Sequence, residues 1–99
     1  MLEKLKHEID LLGRHLEVVR VVVEHQPIGI MKLADVLNIP YHRVRYSLRV
    51  LEQQGYIRAS PSGAMATTRA EEVLEGLDKE IDDIIGALEE MKGQNIHNV

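Results

Sequence analysis

Both ends of this chain carry the same constraint: an apolar residue at every third or fourth position, held through seven members. Near the start the series is Leu2, Leu5, Ile9, Leu12, Leu16, Val19 and Val23; toward the end it is Ala70, Leu74, Leu77, Ile81, Ile84, Leu88 and Met91. Spacings that alternate between three and four place every member on one side of a helix. Two long amphipathic helices, over residues 2–25 and 69–93, therefore bracket whatever lies between them. A seam of about 30 Å, at 1.5 Å per residue, is not stable in water on its own. It can be covered in two ways: the helices pair within one chain, or two copies bury their seams around a two-fold axis. Val73 and Ile85 widen the second stripe, which suits more than one neighbour. The run Val18–Val23 would suit a strand in isolation, but its place at the end of a helical pattern and just before Pro27 favours helix. Gly13 weakens the first helix by about 1 kcal/mol relative to Ala and is a candidate bend.

Between the seams the pattern changes every ten residues or so. A short helix is expected over 30–37, with Leu33, Ala34 and Leu37 on one face. Asn38-Ile39-Pro40 reads as a tight turn, since Asn accepts left-handed geometry and Pro suits a helix start. A further helix over 41–54 has Val44, Leu48 and Leu51 as its buried stripe, and Gly55 takes the position just past its end. Residues 56–60 and 64–67 read as short strands joined by the turn Pro61-Ser62-Gly63. Thr68-Arg69-Ala70-Glu71 has the form of a capping box for the last helix. The tail, Gln94–Val99, is expected to fray. With 99 residues there is material for one core, so residues 1–99 are expected to form a single domain: a first helix (1–25), a central unit (26–68) and a terminal helix (69–93). The expected class is mainly α with a small β-hairpin.

This order resembles a winged helix-turn-helix, and the stretch KLADVLNIPYHRVRYSLRVLEQQGYI (Lys32–Ile57) is similar to the DNA-binding core of archaeal and bacterial regulators of the MarR and ArsR type. Ala34 stands where the two helices cross, and Ile39, Val44, Leu48 and Leu51 occupy the expected core positions. Asn38 stands where those families more often have Gly. Gly55-Tyr56-Ile57 leads into the hairpin, or wing, and TTRAEEVL (Thr67–Leu74) matches the passage from wing to last helix. The likeness covers residues 16–74. It implies a sequence-specific duplex-DNA-binding transcription regulator, with helix 41–54 in the major groove and its outward face toward base edges.

At 100° per residue from Val44, the side chains of His42, Arg45, Tyr46, Arg49 and Gln53 point away from the buried stripe. Arginine is the usual bidentate partner of guanine, so Arg45 and Arg49 are the leading candidates for base or phosphate contact. Tyr41, His42, Arg43 and Tyr46 lie beside them. Lys32 is a candidate phosphate contact near a helix start. Arg58 on a strand and Arg69 at the next helix are the cations nearest the hairpin, whose turn carries none. Leu2, Leu5, Ile9, Leu12, Leu74, Leu77, Ile81, Ile84, Leu88 and Met91 are the expected homodimer contacts. The alternative is a winged-helix module that binds another protein and reads no DNA.

Net charge is −4, which at first sight disfavours nucleic acid. The sum is uneven, however. Residues 1–60 hold nine Lys and Arg against seven acids, whereas residues 61–99 hold three against nine. The acids of the second part cluster on the last helix as solvated neighbours such as Asp82-Asp83 and Glu89-Glu90. Adjacent residues diverge by 100° and form no catalytic pair. There is no cysteine, so a disulfide, a thiolate metal site and a cysteine nucleophile are excluded. No His-x-x-x-His pair, phosphate-binding Gly loop or hydrolytic triad spacing is present, and neither enzymatic activity, a metal nor a cofactor is expected. With neither a signal-peptide pattern nor a long apolar run, a cytoplasmic location without a membrane partner is expected. No effector can be read from the sequence; all three Tyr lie between 41 and 56, and Phe and Trp are absent.

Overall fold

The computed structural model describes residues 1–93; the expected fraying of Gln94–Val99 lies outside them. The chain is mainly helical with one antiparallel hairpin. In order come α1 (Glu3–His25), α2 (Ile30–Leu37), α3 (Tyr41–Gln53), β1 (Ile57–Ser60), β2 (Gly63–Ala66) and α4 (Thr68–Glu90). α1 runs through Gly13 without interruption. None of the helices is long and apolar enough to cross a membrane among the described residues.

α1, α2, α3 and the hairpin close on one core. Val18, Val19, Val22, Ile28, Leu33, Val44, Leu51, Ile57 and Ala70 are all buried in it. The α1 contribution departs from the seam read in the sequence. Val18 and Val22 are fully enclosed, while Leu16 and Val23 are only half-buried. The reason is composition: from Val18 to Val23 every residue but Arg20 is valine, so periodicity cannot select a face there. Tertiary neighbours select it instead, because this end of α1 meets α2, α3 and β2.

Three turns fix the geometry. Asn38 closes α2 in the left-handed region, at φ 53° and ψ 45°, and its N–H and that of Ile39 return to the Ala34 and Asp35 carbonyls. Gly55, at φ 83°, ends α3 as expected. The hairpin is tighter than the sequence suggests: Gly63 pairs with Ser60, leaving Pro61-Ser62 as the turn. Ser60 Oγ donates to the Gly63 carbonyl at 2.6 Å and accepts from Ser62 N–H at 3.3 Å. Ile28 adds a short third rung, exchanging both backbone hydrogen bonds with Ala64 at 3.1 and 2.7 Å. That rung explains Gly63. A Cβ there would lie 2.5 Å from the Ile28 carbonyl carbon, and the φ of 132° already disfavours a side chain.

The start of α4 corrects the capping box. Thr67, not Thr68, is the cap: its Oγ1 accepts from Ala70 N–H at 3.3 Å and donates to the Gly55 carbonyl at 2.7 Å. Glu71 thus falls one position too late to reach back. One hydroxyl joins the end of α3 to the start of α4. Beyond this point the two terminal helices leave the core. Leu2, Leu5, Ile9 and Leu12 on α1, and Ile84, Ile85, Leu88 and Met91 on α4, are exposed. Leu77 is only 8% exposed and Leu74 packs against the core, so both are already covered within the chain; Ile81 is half-buried. The free ends of α1 and α4 do not cover one another.

Candidate nucleic-acid interface

α3 is the element that presents the site. Its inner side is Val44, Ser47 and Leu51, with Leu48 half-buried, which leaves Tyr41, His42, Arg45, Tyr46, Arg49 and Gln53 outside. A helix repeat of 3.6 then stacks His42, Arg45, Tyr46 and Arg49 as one surface, and these four line a shallow depression. Its first turn starts at Pro40, and no side chain caps the amides there.

Beside this surface runs a groove of about 340 Å³ between α3 and the hairpin. Arg45, Arg49 and Glu52 form its α3 wall, the strands provide Ile57, Ala59 and Ala64, and Ile28-Gly29-Ile30 close the end. Floor and rim differ in character: Ile28 and Ile57 are buried, whereas the two guanidinium groups stand in solvent. Among the described residues none of Lys32, Arg43, Arg45, Arg49 or Arg58 makes an ion pair. Glu52 is the acid that shares the groove with Arg45 and Arg49 but pairs with neither, whereas Lys79 pairs with Asp83 at 3.2 Å on α4.

The predicted residues do not all converge. His42, Arg45, Tyr46 and Arg49 share one surface, and Tyr41 is exposed one turn earlier. Arg43 instead lines a different depression, against Ile9, Gly13 and Arg14 of α1. Arg58 faces Met65 across the hairpin, and strand alternation puts it on the face opposite Ile57 and Ala59, away from the groove. Lys32 is exposed on the first turn of α2. Arg69 lies with its guanidinium carbon 4.9 Å from the centre of the Tyr56 ring, a cation–π contact that fixes it beside the hairpin.

One functional group escaped the pattern reading. Ser47 is fully buried, and its hydroxyl meets Arg14 Nε at 3.1 Å and His15 Nδ1 at 2.9 Å. Tyr46 lies over the same pair: Arg14 is 5.9 Å from its ring centre, and the His15 ring is 6.2 Å away, tilted by 33°. Burial, and secondarily the charge of Arg14, hold the His15 pKa below its ordinary value. The signal was present in the sequence: a serine sits on the stripe where Val44 and Leu51 call for an apolar residue. No three His, Asp or Glu among the described residues are gathered to hold a metal. No protein-family model matches the chain, and no curated protein matches it.

Proposed function

We propose that this chain is a winged helix-turn-helix transcription regulator that binds duplex DNA as a homodimer. On this reading α2 and α3 are the helix-turn-helix, the β1–β2 hairpin is the wing, and α3 enters the major groove. The single observation that carries it is the outer surface of α3, where Arg45 and Arg49 stand exposed, in no ion pair among the described residues, beside His42 and Tyr46. Unpaired guanidinium groups on a helix are suited to the O6 and N7 of guanine and to phosphates. The uncapped start of α3 adds backbone N–H donors at the same end. Arg58 and Arg43, turned to other faces, are assigned at most peripheral contacts, and the uncharged Pro61-Ser62 turn gives the wing a steric role.

The homodimer part of this reading is supported by the free ends of the terminal helices. Leu2, Leu5, Ile9 and Leu12, with Ile84, Leu88 and Met91, are exposed in the isolated chain, and burying each fully contributes roughly 1.5–3 kcal/mol. Half-sites about one turn apart, roughly 34–36 Å in a pseudo-palindrome, would fit a two-fold dimer. The acids of α4 then limit sequence-blind binding rather than forbid binding. The same apolar, acidic α4 surface also favours a second reading, a docking module for a protein partner.

Selection of duplexes from a random pool, followed by titration at several salt concentrations, separates these readings. The DNA reading expects saturable binding that weakens with salt, and a loss of about 1–3 kcal/mol for Arg45→Ala or Arg49→Ala on the selected site. A selected duplex bound equally well by both variants overturns the assignment of α3. Absence of any salt-sensitive binding leaves the docking module.

A further inference from the structure

Ser47 is the only polar residue fully buried among the described residues, at the centre of the contact between α1 and α3. A buried hydroxyl costs free energy unless it is bonded, and alanine would fill the same place with no polar group to satisfy. What the hydroxyl does here is link two helices with different duties. α1 carries the exposed apolar half that the proposed dimer uses, and α3 carries the exposed arginines. Arg14 and His15 sit close to where α1 passes from the first duty to the second, between exposed Leu12 and buried Val18.

Donor and acceptor inventory sets the protons. Arg14 Nε–H can only donate, so Ser47 Oγ accepts from it. The assignment that leaves no buried hydroxyl proton without an acceptor has Ser47 donating to His15 Nδ1, with the neutral ring carrying its own proton on Nε2. This state satisfies all three groups. Protonating His15 turns Nδ1 into a donor, deprives the hydroxyl proton of its acceptor in a solvent-free position, and sets an imidazolium beside a guanidinium. The groups facing this cluster offer little relief. Tyr46 and Ser47 face it from α3, and Arg14 is its neighbour on α1. Asp10, Glu17 and Arg43 line the depression on the Arg14 side, and Asn38, Ile39 and Pro40 bring no charge. No carboxylate lies within ion-pair distance of His15 among the described residues.

We infer that His15 and Ser47 form an acid-sensitive joint that positions α3 against α1, so that protonation of His15 shifts α3 and lowers the affinity of its exposed face for DNA. The DNA half rests on the function proposed above; the joint itself does not. The direction of the His15 pKa agrees with it, burial being the larger cause and Arg14 the smaller. The sign runs one way. The folded form takes up its proton at lower pH than the unfolded chain, so stability present above the ordinary histidine range declines as pH falls through it.

The test is an NMR titration of the free protein from roughly pH 8 to roughly pH 5, bracketing the histidine range. Expected is a His15 ring midpoint below the ordinary histidine value, with the backbone amides of Tyr46 and Ser47 following that midpoint. In His15→Gln, whose side-chain oxygen can still accept from Ser47, the α3 amides should no longer follow that midpoint. Duplex affinity in the wild type should then fall by up to about tenfold per pH unit below the His15 midpoint, and His15→Gln should lose that fall. Amides of α3 that do not follow the His15 midpoint, or an unchanged pH dependence in His15→Gln, overturn the joint. Amides that follow His15 in a protein that binds no duplex at any pH establish the joint and overturn the DNA reading alone.

Discussion

Val18, Val22, Leu33 and Val44 are sealed from solvent, while Leu2, Ile9, Ile84 and Met91, no less apolar, stand in it. The first set lies where several elements converge: the second half of α1 meets α2, α3 and β2, with Asn38, Gly55 and Gly63 turning the chain back each time. The second set lies toward the ends of α1 and α4, where these side chains are exposed among the described residues. The molecule is accordingly long, 58 Å by 26 by 21, with a radius of gyration of 16.4 Å. A compact chain of this size would have about 13 Å. Apolar sequence therefore reports a need for a partner without saying where that partner is. α1 shows both outcomes on one unbroken helix, and its midpoint is where Arg14 and His15 hold Ser47.

The largest expected effect breaks the inner region. Leu33 is fully enclosed in the core cluster, so Leu33→Ala should cost about 2–5 kcal/mol in urea unfolding through lost burial and the cavity left behind. A loss under 1 kcal/mol would mean that the inner region is no better packed than the outer one. The outer region should behave differently. In the proposed dimer, Ile84→Ala should cost about 1–3 kcal/mol at high protein concentration and almost nothing at low, because only the associated form buries the side chain. A wild-type unfolding midpoint that is independent of protein concentration removes the second copy as the cover of these helices.

The sequence was legible in proportion to how local each cause is. Helix 41–54, its end at Gly55 and the turn at Asn38 depend on neighbours within four residues, and all three are found within a residue of their expected places. The hairpin register was not: Gly63 pairs with Ser60 as part of β2, next to Ala64, which bridges to Ile28, distant in sequence. The face of α1 was ambiguous where valines surround the helix, and only packing decided it. The exposed surface of α3 followed from angular position, and His42, Arg45, Tyr46 and Arg49 lie together as expected. Arg58 did not join them, since strand alternation outweighs nearness in the chain. The Arg14–His15–Ser47 contact joins residues more than thirty positions apart, beyond any periodic pattern.

The smallest effect probes the boundary between the two regions. Gly13 lies in the middle of α1, exposed, with nothing within 4 Å of where a Cβ would stand. Its backbone is helical, so alanine needs no change of conformation and would only reduce the freedom of the unfolded chain. Gly13→Ala should raise stability by about 0.5–1 kcal/mol, measured by urea unfolding at a protein concentration low enough to suppress association. If the glycine merely weakens a rod, the variant should keep the wild-type pH dependence and duplex affinity. If it is instead a hinge between the outer half of α1 and the Arg14–His15 contact, stiffening it should move the α3 amides of the free protein. Those two outcomes tell a passive weak point from a working one, at the residue where the exposed and enclosed halves of α1 meet.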